Sequence, residues 1–444
     1  MLDAIRWDWG LVHRYGHALS HYGCYPPPRQ FVAGVGAFEL LRALRSSRLA
    51  QRPLSLYLHL PFAAVGDAGW RNGVIGRDRR HGLAYLQRLE REIERVGHHL
   101  GPGQRVEQLY WGGTPTFLDH QQLRRLMTQL RQRFALLEDD SGDYAIDIDP
   151  READWPTLGL LRELGFNRLN IGVHDLDPQV QQATRRRYSP RQLGSLLEAA
   201  RTLHYRAVNL ELRYGLPQQS AASFARTLAA VLALQPDRLT LRAAAGWPGV
   251  GQRERLERLR EASERLNAAG YRYIGLGQFV LPDDELAMAQ EGGRLRRDLQ
   301  GYSGHARGDL IGLGLCAISR VGALHAQNSD DPARYQACID SGQLATRRGL
   351  RCTADDQLRQ ALIETLVCDF QLDMRAIEAR FDLDFRDYFA AQWPGLEQLA
   401  GDGLIELGED FIDVRPVGRL LVGALCRLFD RDPPAEARPL SRVV

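Results

Sequence analysis

Short runs of β-branched and apolar residues alternate along the chain with longer amphipathic stretches of helical period. Such strand–helix repeats require parallel strands joined by crossover helices, so the pattern predicts an α/β barrel or a doubly wound sheet. The strand candidates are Leu54–His59, Val106–Trp111, Tyr144–Asp149, Arg168–Val173, Ala207–Arg213, Arg238–Ala243 and Tyr273–Phe279. The helix candidates are His81–His99, His120–Phe134, Trp155–Leu164, Pro190–His204, Ser220–Leu234 and Arg253–Ala269.

In a barrel of this kind the chemistry lies at the carboxyl-terminal ends of the strands. Four segments would meet there on one rim: the loop after His59, the turn Gly112–Thr116, the run Asp147–Asp149 and the run Val173–Asp175. This rim is where the sequence predicts a functional site.

Three regions are expected along the chain. Residues 1–50 form an N-terminal extension, and residues 51–350 carry the strand–helix pattern of the barrel. From residue 351 to 444 helical segments surround a predicted hairpin, Leu404–Glu406 with Phe411–Val414, which indicates a helical C-terminal domain.

Composition excludes several functional classes. The 57 basic and 55 acidic residues give a net charge of +2, too mild for a nucleic-acid surface. No apolar run is long enough to span a membrane, and the N-terminus has no signal-peptide pattern, so a cytoplasmic protein is expected. The six cysteines, at positions 24, 316, 338, 352, 368 and 426, form no closely spaced pair.

A set of ordered segments gives the chain a family resemblance. Because they run nearly end to end, the chain closely resembles the oxygen-independent coproporphyrinogen III oxidases of the radical S-adenosylmethionine (SAM) superfamily. The segments are Arg52–Phe62, Tyr110–Thr116, Asp147–Glu152, Gly165–Asn170, Tyr214–Pro217, Leu281–Leu286, Gln300–Tyr302, Ala317–Ser319, Leu440–Val444 and the N-terminal Tyr22–Pro26.

The resemblance implies an incomplete (β/α)6 barrel with an N-terminal extension and a helical C-terminal domain. Members of the family cleave SAM at a 4Fe–4S cluster, and the radical formed abstracts a propionate hydrogen from coproporphyrinogen III. Loss of CO2 then leaves a vinyl group, twice per substrate, which gives protoporphyrinogen IX in haem synthesis.

The resemblance also implies a SAM-binding site with several departures from the family pattern. Trp111 fills the first position of a glycine turn, Asp147 replaces a Glu, His174 replaces a Gln and Glu211 replaces an Asp. The residual SAM-like site would consist of Tyr57, Gly112, Gly113, Thr114, Asp147, His174, Arg186, Glu211, Ala245 and Ile318.

The loop after the first strand departs most. The family places cluster-ligating cysteines there, because soft thiolates hold iron–sulfur clusters. The corresponding positions are Ala63, Asp67, Trp70 and Asn72, and none of them is a cysteine. From this we predict that no cluster and no other metal is bound, that no residue is catalytic, and that no cofactor is assured, although SAM could still bind.

The leading functional hypothesis is therefore a pseudoenzyme that has lost radical chemistry, so the enzymatic character itself stays uncertain at this point. Its ligand would be a porphyrinogen, porphyrin or haem, and it would be a monomer or pair loosely with an active paralogue. The first alternative is an active coproporphyrinogen III oxidase with an atypical cluster. The second is a haem-binding carrier protein.

The carrier alternative depends on a histidine-rich N-terminal segment. His13, His17 and His21 would share one face if the segment were helical, and Cys24 follows closely. That spacing suits a metal ion or a haem axial ligand. Gly16 and the run Tyr25–Pro28 instead favour a turn-rich strap with exposed or hydrogen-bonded histidines.

Overall fold

The computed structural model describes residues 5–16, 22–63, 74–76, 78–244, 251–305 and 308–433. The strands predicted between residues 54 and 243 are present and are separated by helices, and three short two-residue strands are added among them. The strands are β1 Leu54–Leu60, β2 Phe62–Ala63, β3 Ile75–Gly76, β4 Arg105–Gly113, β5 Ala135–Leu136, β6 Asp143–Ile148, β7 Arg168–His174, β8 Ala207–Tyr214, β9 Arg238–Ala243, β10 Arg272–Gly275, β11 Gln278–Val280, β12 Arg296–Asp298, β13 Gly301–Ser303, β14 Asp309–Leu313, β15 Ile318–Val321, β16 Leu324–Asn328, β17 Thr346–Arg351, β18 Gln371–Asp373, β19 Ile405–Leu407 and β20 Phe411–Val414.

The helices cover the outside of the sheet and build the C-terminal region. Most begin at an Asp, Ser or Thr whose side chain accepts a backbone N–H of the first turn, as in α4, α7 and α12. They are α1 Trp9–Tyr15, α2 Ala37–Ala50, α3 Arg79–His99, α4 His120–Arg133, α5 Trp155–Glu163, α6 Pro178–Ala183, α7 Pro190–Thr202, α8 Ala221–Ala233, α9 Gln252–Ala268, α10 Glu285–Glu291, α11 Pro332–Asp340, α12 Ala354–Asp369, α13 Met374–Phe381, α14 Phe385–Tyr388, α15 Trp393–Gly401 and α16 Val422–Phe429.

One large sheet forms the frame of the barrel. Strands β9, β8, β7, β6, β4, β1 and β14 lie side by side in that order, and each pairs in parallel with its neighbour. The hairpin β10–β11 extends one edge, and the antiparallel strands β15, β16 and β17 extend the other. The predicted α/β fold with an incomplete parallel barrel is confirmed.

The predicted single strand Tyr273–Phe279 is wrong. Gly275, Leu276 and Gly277 have φ values of 143°, 45° and 83°, which belong to a turn and not to extended backbone. A Cβ on Gly277 would lie 2.3 Å from the carbonyl oxygen of Leu241, so the turn needs glycine there. The chain therefore reverses, and two short antiparallel strands replace one.

Side chains alternate between the two faces of each barrel strand, as strand geometry requires. On β8, Leu210 and Leu212 are buried in the hydrophobic core, whereas Asn209, Glu211 and Arg213 line the interior. The barrel interior is therefore polar, and it is a cavity suited to a polar ligand.

A buried carboxylate secures the turn that follows β14. Glu92 accepts hydrogen bonds from the backbone N–H of Gly314 at 2.9 Å, the amide of Asn328 at 2.6 Å and the hydroxyl of Tyr335 at 2.6 Å. Burial raises the pKa of the Glu92 carboxyl, although the three donors oppose that shift. The turn lies against the end of β1, so this cluster supports the rim of the barrel.

The C-terminal region contains the predicted helices and hairpin, and β18 adds a third strand to the pair β19–β20. The N-terminal extension is fastened to its last helix through one carboxylate. Asp430, at the end of α16, accepts hydrogen bonds from Tyr22, Arg29 and Gln30 at 3.1, 2.8 and 3.2 Å. No helix among the described residues is long and apolar enough to cross a membrane.

Candidate active site

The carboxyl-terminal ends of the barrel strands surround a cavity of about 310 Å³. It brings together seven of the predicted site residues, which come from five different strands and the loops that follow them. They are Tyr57, Gly113, Thr114, Asp147, His174, Arg186 and Glu211.

The three other predicted site residues are not among those that line this cavity. Gly112 precedes the lining residue Gly113 on β4, and its Cβ position faces the ring of Tyr57. Ile318 begins β15, where its backbone contacts Gly312, and it does not line the cavity. Ala245 lies outside the described residues.

Asp147 organises the wall of the cavity next to the glycine turn. Its carboxylate accepts hydrogen bonds from the hydroxyl of Tyr110 at 2.5 Å, the backbone N–H of Gly113 at 2.8 Å and the amide of Asn170 at 2.7 Å. Burial raises the pKa of Asp147, and the charge of Glu211 adds to that effect, while the three donors oppose it. Asp147 thus fixes β4 to β6 and β7 at the rim.

The glycine turn depends on the absence of side chains. Gly113 has a φ of 98°, and a Cβ there would lie 2.6 Å from the carbonyl oxygen of Leu60. A Cβ on Gly112 would lie 2.7 Å from the ring of Tyr57. The backbone of this turn can therefore approach a ligand closely, as a glycine turn in a nucleotide cradle does.

Trp111, which the resemblance places at the first position of the glycine turn, does not project into the cavity beside that turn. Its side chain is fully buried on the opposite face of β4, where its ring packs edge-on against Phe166 with 5.1 Å between ring centroids. The alternation of side chains along the strand directs it into the core behind the sheet.

Glu211 is the centre of the charge arrangement on the rim. One oxygen lies 3.1 Å from Nη2 of Arg213, and the other lies 2.8 Å from Nε of Arg242. Burial would raise the pKa of the Glu211 carboxyl, but the two arginines outweigh it and lower that pKa. His174 Nε2 lies 3.8 Å from the same carboxylate.

His174 remains neutral in this setting. Burial lowers the pKa of its imidazole well below the ordinary value, and the charges of Arg213, Arg186, Arg151 and Arg242 lower it further. A neutral imidazole can both donate and accept a hydrogen bond, which suits recognition of a hydroxyl group.

A second arginine pair closes the neighbouring wall. Asp149 binds the guanidinium of Arg151 and lies 3.5 Å from Nη1 of Arg186. Arg186 Nη2 also donates to the carbonyl oxygen of Gly172 at 3.1 Å. Burial lowers the pKa of Arg186, yet the group stays cationic, so it offers a positive charge to an anionic ligand group.

At the β1 side, aromatic rings and a hydroxyl shape the cavity. Tyr57 stacks with His59 and Tyr110 at centroid distances of 6.0 and 5.9 Å. Thr114 donates its hydroxyl to the carbonyl oxygen of Phe62 at 2.6 Å. The ring nitrogen Nδ1 of His59 bonds to the carbonyl oxygen of Leu315 at 2.5 Å, so this histidine ties β1 to the loop after β14.

A second interior cavity of about 170 Å³ lies toward the opposite ends of the strands. A hydrogen-bonded chain connects it to Asp147. Asn170 bonds to Asn209 at 2.6 Å, and the side-chain oxygen of Asn209 accepts from Thr240 and Gln278 at 3.0 and 3.1 Å. These residues were not among the predicted site residues. The alternation of polar and apolar residues along β7 and β8 is the signal that could have identified them.

The histidine-rich segment does not assemble a ligand set in the part of the chain that the structure describes. His13 is exposed on α1, and His17 and His21 lie outside the described residues. Cys24 is half-buried near Arg297, and burial raises the pKa of its thiol to about 11. A haem or metal site on this segment stays a hypothesis.

Comparison with known proteins decides the family. Residues 71–231 match the Radical SAM superfamily, and residues 352–421 match the HemN C-terminal domain. The oxygen-independent coproporphyrinogen III oxidase of Pseudomonas aeruginosa is 53% identical over 460 residues, covering 100% of both chains. The chain belongs to this family. The Escherichia coli oxidase of the same name is 38% identical over 463 residues, again covering 100% of both chains. The solved structure of the Escherichia coli radical SAM enzyme HemN covers 97% of this chain and 100% of its own, with 37% identity and a TM-score of 0.89.

Family membership corrects two of the sequence-based predictions. The pseudoenzyme hypothesis is wrong, because end-to-end identity of 53% with a coproporphyrinogen III oxidase favours the alternative of an active enzyme. The prediction that the 4Fe–4S cluster is absent is also wrong, because a radical SAM family implies SAM and such a cluster, and the chain carries six cysteines.

The positions of those cysteines do not fit the family's cluster loop. All six lie within the described residues, which contain no group of three or more His, Cys, Asp or Glu side chains placed to hold a metal ion. Asp67, Trp70 and Asn72 lie outside the described residues, and like Ala63 they carry no thiol. A cluster in this protein therefore needs thiolates from outside those four positions.

The rim cavity does fit SAM. The glycine turn leaves room that a Cβ would fill, and the guanidinium of Arg186 and the carboxylate of Asp147 both line the cavity. A carboxylate, an ammonium group and ribose hydroxyls each find a complementary partner among these groups.

Proposed function

We propose that the protein is an oxygen-independent coproporphyrinogen III oxidase, which removes two propionate carboxyl groups as CO2 and yields protoporphyrinogen IX. The observation that carries the proposal is the 53% identity with the Pseudomonas aeruginosa oxidase over both whole chains. Support also comes from the polar cavity at the barrel rim, which lies where enzymes with barrel folds place their chemistry.

Under this proposal, three residues of the rim would hold SAM. Arg186 would pair with the carboxylate of SAM, and the backbone of Gly113 would lie against its methionyl part. His174, neutral and fixed beside Glu211, would hydrogen-bond the ribose. When bound, SAM supplies the hydrogen-abstracting chemistry, and the residues of this chain orient it and exclude water.

The test is anaerobic turnover of coproporphyrinogen III by protein reconstituted with iron and sulfide, with SAM and a reductant. The expected result is protoporphyrinogen IX above a no-protein control, with none formed when SAM is omitted. Product at the level of the no-protein control would overturn the proposal.

A matched pair of variants tests the assigned site. Arg186→Gln removes a largely buried cation from the cavity and should raise the KM for SAM at least tenfold, because a charge-assisted hydrogen bond is lost. Arg187→Gln, which removes the exposed neighbouring arginine, should leave turnover unchanged. Equal effects of the two changes would contradict the assignment. Cytoplasmic location, and a monomer or a loose pairing with an active paralogue, stay predictions.

A further inference from the structure

Two arginines of the rim share one carboxylate, and within the described part of the chain each keeps guanidinium donors outside that ion pair. Arg242 uses Nε to bind Glu211 at 2.8 Å, and 62% of its side chain is exposed. Within the described part of the chain, Glu211 is its ion-pair partner. Arg213 binds the other oxygen of Glu211 and is 36% exposed.

The register of the sheet explains why the two arginines lie together. On the parallel strands β8 and β9, Arg213 stands opposite Arg242, and Glu211 stands opposite Thr240, one step deeper. All of these positions face the barrel interior, because alternate residues share a face. The shared carboxylate limits the motion of both guanidinium groups, so less side-chain entropy is lost when a ligand binds them.

The surroundings of the pair favour an anion. Arg186 lines the same cavity and Arg151 lies behind it on Asp149, so four arginines surround the three carboxylates of Asp147, Asp149 and Glu211. Burial lowers the pKa of the nearby His174 imidazole, and the charges of these four arginines lower it further. A cavity with an excess of cations attracts and orients acidic ligands.

We propose that Arg213 and Arg242, held by Glu211, bind a propionate carboxylate of the substrate and thereby orient it at the barrel rim. The inference rests on the proposed function, because it takes the substrate to be a porphyrinogen with propionate side chains. Guanidinium groups suit the task, since their planar donors match both oxygens of a carboxylate.

A binding experiment tests this without turnover. The probe is coproporphyrin III, the stable oxidised form of the substrate, titrated into the full-length protein with fluorescence as the readout. Arg242→Gln should weaken binding about tenfold, because a charge-assisted contact is lost. The affinity of Arg242→Lys for coproporphyrin III should fall between those of Arg242→Gln and the native protein. Lysine keeps the positive charge but cannot offer two parallel donors to one carboxylate.

The control variant is Arg226→Gln, which removes an exposed arginine that pairs with Asp177 at 3.1 Å on the outside of the barrel. It should bind coproporphyrin III as the native protein does. The affinity of the native protein for coproporphyrin III should also fall as the salt concentration rises, and the affinity of Arg242→Gln should fall less steeply. Unchanged affinity in Arg242→Gln, or equal losses in Arg242→Gln and Arg226→Gln, would overturn the inference.

Turnover separates this inference from the proposed function. Arg242→Gln should raise the KM for coproporphyrinogen III about tenfold and change kcat little, because it weakens binding of substrate and transition state alike. Absence of turnover in the native protein, with the tenfold loss of binding retained, would refute the proposed function alone. Native turnover with an unchanged KM in Arg242→Gln would refute the inference alone.

Discussion

Replacing Glu285 with glutamine tests what stabilises the end of the barrel opposite the rim, at the amino-terminal ends of the strands. The Glu285 carboxylate lies 2.8 and 2.7 Å from two nitrogens of Arg168, and 2.6 Å from Nη2 of Arg238. The two arginine side chains are only 8% and 11% exposed. Glutamine would keep the shape of the side chain but leave these buried cations with less compensating charge.

The size of the effect follows from the pKa of this carboxyl. Burial alone would raise it, but Arg168 and Arg238 lower it to about 2, from an ordinary value of 4.5. A lowered carboxyl pKa stabilises the fold above the unfolded-state value, and the stabilisation is lost as pH falls toward the folded-state value. The shift corresponds to about 3 kcal/mol at pH 7, and partial solvent screening brings the expected loss in Glu285→Gln to about 2 kcal/mol.

The assay is urea unfolding of the native protein and the variant at pH 7 and at about pH 3.5. The difference in the free energy of unfolding should shrink by roughly a third or more at the lower pH, because the native protein loses the contribution of Glu285 there. Glu257→Gln is the control, since its pair with Arg253 is exposed and should contribute less than about 1 kcal/mol. If Glu285→Gln cost no more than Glu257→Gln at pH 7, the reasoning would be refuted.

Three further changes have defined outcomes. Gly113→Ala should abolish turnover and lower the free energy of unfolding by about 1–3 kcal/mol, because the turn needs φ of 98° and has no room for a Cβ; native activity in this variant would contradict the turn geometry. The hydrogen bond to Asp143 raises the pKa of His305. The free energy of unfolding lost in His305→Gln, measured by urea unfolding, should therefore be largest near pH 5 and disappear as pH rises through that raised pKa. A pH-independent loss would exclude the ion pair. Tyr335→Phe removes a 2.6 Å hydrogen bond to the buried carboxylate of Glu92 and should lower the free energy of unfolding by about 1–3 kcal/mol in the same assay. A loss below about 0.5 kcal/mol would refute the stabilising role of this hydrogen bond.

Much of the fold could be predicted from the sequence because each barrel strand keeps a regular alternation. On β7 and β8, polar residues at every second position lie in the interior, and the apolar ones between them lie in the core. The same alternation, applied to β4, would have placed Trp111 in the core and prevented the expectation that it fills the glycine turn. The hairpin after Tyr273 was missed because a turn with positive φ at Leu276 leaves little trace in hydrophobic periodicity.

The site was predicted only in part, because its charges depend on the register between strands. The sequence indicates Glu211 as a site residue through the family resemblance. It does not show that Arg213 and Arg242 share that carboxylate, because their contact depends on how β8 pairs with β9. The pseudoenzyme hypothesis failed for a different reason. It depended on one loop without cysteines, whereas the identity of 53% to a coproporphyrinogen III oxidase extends along the whole chain.

Release of CO2 from carboxyl-labelled coproporphyrinogen III tests the central claim most directly. The protein is reconstituted anaerobically with iron and sulfide, and its iron and sulfide contents are measured before SAM and reductant are added. The proposed function predicts two labelled CO2 released per protoporphyrinogen IX formed, with no release in the absence of SAM. Labelled CO2 no greater than that of a no-protein control would contradict it.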